Sequence, residues 1–201
     1  MKIIEPSVEL IDYVDAADVY SKIERCGRVC YQSQPKGDAA DFIRKIINRG
    51  HESVLEHVSL TFHIICDRAI QNELVRHRLA SFSVESTRYV KYDELTAINQ
   101  FPNDAMGEFI QEEAVLTAES IYRDWIKNHG AKPEQARAVL PLCLATELYM
   151  TCNLREWRHI LKLRTAPAAH PQMRFIAGQI LDIFKEKLPV IVEDIGNAET
   201  M

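Results

Sequence analysis

Apolar side chains recur along this chain with two periods, and the period changes from segment to segment. "SVELIDYV" (7–14) alternates apolar and polar residues, as a half-buried strand does. "DAADVYSKIERCGRVCY" (15–31) and "DAADFIRKIINRG" (38–50) place apolar residues at helical spacing. Asp15 or Asp18 can cap the first, and Gly50 closes the second where left-handed geometry is wanted. "HVSLTFHIIC" (57–66) is β-branched and aromatic and predicts a strand. "DRAIQNELVRHR" (67–78) predicts a helix capped by Asp67, with Arg68, Asn72 and Arg76 on one face and Glu73 and His77 beside them. From Ser81 to Tyr92 no period holds, so a loop or bent extended segment is expected. "GEFIQEEAVLTAESIYRDWIKNHG" (107–130) is a long helix ending at Gly130. Three more helices are expected behind it: "EQARAVLPLCLATELYMTC" (134–152) after Pro133, "NLREWRHILKLR" (153–164) capped by Asn153, and "HPQMRFIAGQILDIFKEKL" (170–188) with Pro171 at its first position. Strands in front and helices behind make an α+β class. "GNAETM" (196–201) is expected to fray.

Composition narrows this. The 201 residues carry no repeat and no linker rich in Pro, Gly or Ser, so a single domain over 1–201 is expected. The net charge is −5, from 24 basic and 29 acidic residues, which argues against nucleic acid as a partner. The cysteines (Cys26, Cys30, Cys66, Cys143, Cys152) are odd in number and form no CxxC, so neither a disulfide framework nor a thiolate zinc site is indicated. No apolar run of about 18 residues offers a membrane span, and the start lacks a leader's apolar core. A cytoplasmic protein with reduced thiols is the expectation.

Against that acidic background, "RHRLASFSVESTRY" (76–89) concentrates positive charge. Arg76 and Arg78 stay protonated, and two such charges about 6 Å apart repel by roughly 3 kcal/mol at an effective dielectric of about 20. Water can relieve that repulsion, and a solvated charge run is the plain alternative. The neighbouring groups favour a ligand: Ser81, Ser83, Ser86 and Thr87 donate, Glu85 accepts, and arginine forks match phosphate oxygens. A phosphate ester of a polar heterocycle uses all of them. Arg137, Asn153, Arg155, His159 and Arg164 form a second set, for which an amphipathic surface helix is the plain alternative.

These residues resemble the flavin-dependent thymidylate synthase family. Its signature runs Arg-His-Arg, two residues, Ser, four residues, Ser, one residue, Arg. It stands here as Arg76, His77, Arg78, Ser81, Ser86 and Arg88. "RGHESVLEH" (49–57), "RAVLPL", "NLREWRHILKLR" and "HPQ" (170–172) resemble further family segments, in the family's order. The resemblance implies a central twisted, mainly antiparallel sheet packed with helices, long helices in the C-terminal half, and conversion of dUMP to dTMP. Methylenetetrahydrofolate would give the carbon and NADPH would reduce a bound FAD, in a homotetramer with active sites shared between subunits. It assigns Ser53, Arg76, His77, Arg78, Glu85, Asn153, Arg155, His159 and His170 to the cofactor. It assigns Glu73, Arg76, Glu85, Ser86, Thr87, Arg88, Arg137 and Arg164 to the nucleotide, with Arg164 in the catalytic role of promoting ionisation at N3 of uracil. A permanent cation can stabilise that anion but cannot accept the proton.

The sequence departs from the family pattern in three places. Ser83 stands for the usual asparagine, Val84 for a glutamate that reappears at Glu85, and Glu73 for a frequent glutamine. They leave open a catalytically altered or inactive nucleotide- or flavin-binding homologue, and an RNA-binding module is the remaining rival. His51, His57, His63, Glu52 and Glu56 do not form HExxH, because the two histidines of "HESVLEH" are six apart; no metal is expected. No cysteine lies in the motif, and Cys143 and Cys152 read as buried thiols. No GxGxxG occurs to hold FAD in a Rossmann turn.

Overall fold

A computed structural model describes residues 1–30, 32–35 and 37–196. In order, its elements are β1 (Lys2–Ile4), β2 (Ser7–Leu10), α1 (Ala16–Val29), α2 (Ala39–Asn48), a 3-10 helix (Glu52–His57), β3 (Ser59–Asp67), α3 (Arg68–Leu74), β4 (Ala80–Val84), β5 (Thr96–Ile98), α4 (Ala105–Asn128), α5 (Pro133–Ala136), a 3-10 turn (Arg137–Val139), β6 (Ala145–Asn153), α6 (Leu154–Arg164), α7 (Pro171–Lys187) and α8 (Pro189–Val192). The class is α+β. A four-stranded sheet runs in the order β2-β3-β6-β4, and β1 pairs with β5 in a separate two-stranded parallel ladder. β3 and β6 are antiparallel. Leu154 N–H donates to Val58 O at 2.9 Å near one end, and Arg68 N–H donates to Leu144 O at 3.2 Å near the other. Between them the Thr61 and Thr151 hydroxyls meet at 2.9 Å.

Local capping explains where the helices begin. Asp15, Asp38, Asp67, Asp104 and Asn153 each accept backbone N–H groups of the first turn that would otherwise lack a partner. Of the two candidate caps for α1, the structure uses Asp15. Gly50 (φ 71°) and Gly130 (φ 65°) take the left-handed geometry after α2 and α4.

The expectation of a helix over 134–152 is wrong. Only Pro133–Ala136 is α-helical, and Ala145–Asn153 is a strand. Pro141 has no N–H to continue a helix. Beyond it Thr146, Leu148, Met150 and Cys152 are buried while Glu147 and Tyr149 are exposed, an alternation only a strand produces. α3 also stops sooner than expected. Val75 caps it, so Arg76 and His77 lie beyond the helix and share no helical face with Arg68. The unperiodic run from Ser81 starts within β4. β1 and β5, three residues each, had no expectation behind them. The expected fraying concerns 196–201, of which only Gly196 is among the described residues.

The chain divides into two compact units. The first holds Met1–Ser7, Ile64–Arg76 and Phe82–Tyr149; the second holds Val8–His63, His77–Ser81 and the residues from Met150 onward. In the first, Leu95, Ala97, Val115 and Leu144 form a core to which Met1, Tyr92, Ala118, Leu140 and Cys143 pack. In the second, Trp157 of α6 meets Phe62 of β3 edge-on at 4.9 Å, and Phe184 of α7 stacks on Phe62 at 5.9 Å. The buried Trp157 Nε1–H donates to Leu60 O at 3.1 Å, so its one polar atom is satisfied.

Candidate active site

In the first unit, the loop after β4 gathers the hydroxyls and arginines. Ser86 Oγ accepts the Arg88 backbone N–H at 3.3 Å, which turns the chain at Thr87. Thr87 Oγ1 accepts from Arg137 Nη1 at 3.4 Å, across fifty residues of sequence. Arg88 Nε donates to Glu134 Oε2 at 3.1 Å, and both side chains are substantially exposed. Glu85 turns toward Tyr92 and Arg68. Tyr92 donates its hydroxyl hydrogen to Glu85 Oε1 at 2.6 Å, and Arg68 Nη1 donates to Glu85 O at 2.8 Å. Burial and then the Glu85 carboxylate push the Tyr92 phenol well above its ordinary value, so it remains a donor. Glu73 is half-buried in α3 and Arg76 is exposed just beyond it.

In the second unit, α6 presents Asn153, Arg155, Glu156, His159 and Arg164. Asn153 Oδ1 is committed to the cap, where it accepts from Glu156 N at 2.9 Å. Arg155 pairs with Glu56 at 2.6 Å on the surface. Arg158 is 1% exposed and binds Glu52, Asp194 and the Ile191 carbonyl. Arg164 Nε donates to His77 Nε2 at 3.0 Å. His77 is buried, and its pKa is pushed down to about 4, by burial first and then by the Arg164 cation and His159. His170 caps α7, its Nδ1 accepting from Gln172 N at 3.3 Å.

Three of the clefts in this unit are lined by residues expected at the site. One of about 500 Å³ is lined by Glu52, Glu56, Leu79, Asn153, Arg155, Glu156, Arg158, His159 and Lys162. Another of about 360 Å³ shares Leu79 and Asn153 with it and adds Arg78 with the hydroxyl residues Ser59, Ser81 and Thr151, but no carboxylate. That donor set, a guanidinium among hydroxyls and an amide, matches phosphate chemistry and fits a flavin nucleotide. Ser53 lines the third, of about 370 Å³, with Lys45, Arg49 and His51.

His77, Glu156 and His159 offer ligand atoms within 4.8 Å of one another, the spacing of a metal site. The Arg164 guanidinium on His77 works against a dication there. This triplet is not the set of histidines weighed from sequence. Glu134, Glu156 and the Arg68–Tyr92 clasp were missed as well. Glu156 is buried, in the helix that also buries Trp157, Ile160 and Leu161, where a surface helix would have left it in water. The thiols of Cys143 and Cys152 are raised by burial, and neither lies in a helix. They are poor thiolate nucleophiles.

Residues 9–190 match the family model described as thymidylate synthase complementing protein. The chain belongs to this family. A probable flavin-dependent thymidylate synthase of Mycobacterium phage D29 is 34% identical over 214 residues, which cover 95% of this chain and 91% of the relative. The flavin-dependent thymidylate synthase of Geobacter sulfurreducens is 34% identical over 197 residues, 89% of this chain and 83% of the relative. Among solved structures, a UMP/dUMP methylase from Streptomyces cacaoi bound with 5-Br dUMP superposes with a TM-score of 0.81 at 26% identity, covering 95% of each chain. No helix among the described residues is long and apolar enough to cross a membrane.

Proposed function

We propose that this thymidylate synthase complementing protein family member is a transferase that methylates dUMP at C5 to give dTMP. It takes its carbon from methylenetetrahydrofolate and its reducing equivalents from NADPH through FAD. It works as one domain over 1–201, in the cytoplasm, as a homotetramer whose active sites are shared between subunits. The observation that carries the reading is the pairing of family membership with a gathered cradle: Ser86, Thr87, Arg88 and Arg137 meet in one unit.

Arg88 and Arg137 hold the nucleotide's phosphate, and Ser86 and Thr87 donate hydrogen bonds to it. Glu134 occupies Arg88 until the phosphate displaces it. An exposed ion pair of this kind contributes at most about 1 kcal/mol, so the exchange is cheap. Glu85, held by Tyr92 and Arg68, orders the same loop against nucleotide and cofactor. Glu73 and Arg76 complete the nucleotide set. Arg164 stabilises the N3 anion of uracil, which raises electron density at C5 so that this carbon attacks the folate's methylene carbon. Ser53, Arg76, His77, Arg78, Asn153, Arg155, His159 and His170 hold FAD. When bound, FAD supplies the redox chemistry that converts the transferred methylene to methyl.

The test is chromatographic detection of dTMP from dUMP, NADPH and methylenetetrahydrofolate, with UMP run in parallel. Arg164→Ala should lower kcat by at least about 100-fold, the scale of losing one preorganised charge-stabilising donor. Its melting temperature should stay near that of the parent. No dTMP from the parent protein, or equal turnover by Arg164→Ala, would overturn the proposal.

A further inference from the structure

The half-buried Arg164 is held at its Nε by a histidine that can only be neutral. Arginine has no acceptor, so the 3.0 Å bond to His77 Nε2 requires a lone pair on that nitrogen. The ring proton therefore sits on Nδ1. On that side lies Glu156 Oε1, 3.7 Å away and itself buried. The distance exceeds a hydrogen bond, yet a carboxylate there still favours the Nδ1–H tautomer electrostatically. The His159 ring stands edge-on to His77 at 6.1 Å. Arg164, Glu156 and His159 all come from α6, so a single helix sets the charge environment of the ring. Nothing in the family signature demands a buried glutamate at 156, and the proposed reaction does not otherwise use it.

We propose that Glu156 and His77 are positioning residues for Arg164. The carboxylate biases the tautomer, and the tautomer presents Nε2 as an acceptor. The acceptor fixes the plane of the guanidinium, so Arg164 meets a planar pyrimidine in one orientation. A protonated His77 would repel the guanidinium and offer no lone pair, and burial beside Arg164 keeps the ring neutral at working pH. The inference rests on the proposed reaction for its consequence in turnover, but the tautomer itself is a property of the unliganded chain.

Two measurements separate those levels. Nitrogen-15 spectra of histidine-labelled protein should show His77 as Nδ1–H with an unprotonated Nε2 at neutral pH. In Arg164→Leu that signature should relax toward Nε2–H, a change that loss of packing alone would not direct. Glu156→Gln should shift it the same way, more weakly. In turnover, His77→Leu should lose about 100-fold in kcat, the scale of a misplaced catalytic group, with a far smaller change in KM for dUMP. His77→Gln, whose amide oxygen can accept from Nε, should recover most of the loss. An Nε2–H or cationic His77 in the parent protein overturns the proposal whether or not the chain makes dTMP. Equal kcat in His77→Leu and His77→Gln overturns the positioning role. Failure of the parent to make dTMP alongside the Nδ1–H signature would instead count against the reaction.

Discussion

At the residue scale, the most heavily committed charge is Arg158. It is sealed inside the second unit, where it bonds to Glu52 from the 3-10 helix and to Asp194 beyond α8. Lys162 adds a second cation to Asp194 at 2.9 Å. Burial alone would raise the Asp194 carboxyl, but Arg158 and Lys162 hold it down to about 2. Arg158→Met keeps the volume, strands Glu52 and leaves Asp194 with Lys162 alone. Breaking a buried pair costs about 3–5 kcal/mol, and the lower end applies because Asp194 is partly exposed. Urea denaturation would read this as a lower midpoint with an unchanged m-value. His77 and then Asp194 shape the acid limb of stability. As pH falls from 6.5 toward about 4, the unfolded chain protonates His77 while the folded ring refuses the proton, so stability declines. From 3.8 down toward about 2, protonation of Asp194 in the unfolded state removes its contribution in turn. Midpoints at neutral pH, pH 5 and pH 4 should fall in that order for the parent, with a flatter decline in His77→Gln.

At the scale of elements, the parts legible in the sequence were those fixed by local chemistry. Asp67 and Asn153 announced helix starts because a carboxylate or amide oxygen satisfies nearby N–H groups whatever surrounds it. β6 was illegible because Leu148 and Met150 have high helix propensity, and only partners across the sheet make their alternation count. β1 and β5 are too short to carry a period, and their parallel pairing is decided far along the chain. The arginine cradle was legible as a motif. Glu134 opposite Arg88 was not, because nothing local links residues 46 apart in sequence. α1 offers a test of packing against propensity. A Cβ on Gly27 would lie 2.7 Å from the Phe42 ring on α2. Alanine gains up to about 1 kcal/mol in helix propensity, yet overpacking costs about 1–3 kcal/mol. Gly27→Ala should therefore lower the melting temperature. An unchanged or higher value would mean that the ring swings aside freely.

At the scale of the whole molecule, the outer face of α4 bears on assembly. Met106, Phe109 and Ile110 are 66%, 57% and 60% exposed, while Gly107, Gln111 and Val115 of the same helix are buried. Exposed apolar side chains at helical spacing are costly in a monomer and useful between protomers. The parent should elute with the mass of a tetramer in light scattering. Phe109→Glu with Ile110→Glu should shift it to smaller species without loss of helical circular dichroism. A tetramer that survives the double substitution would remove α4 from the interface.

In the proposed reaction dUMP, the folate carbon and the reductant meet through one bound flavin. The most direct measurement follows the flavin absorbance without oxygen, after reconstitution with FAD and reduction by one equivalent of NADPH. The bleached spectrum should persist until dUMP and methylenetetrahydrofolate are both present, then return with one dTMP formed per flavin reoxidised. Reoxidation without dTMP, or protein that takes up no flavin, would contradict it.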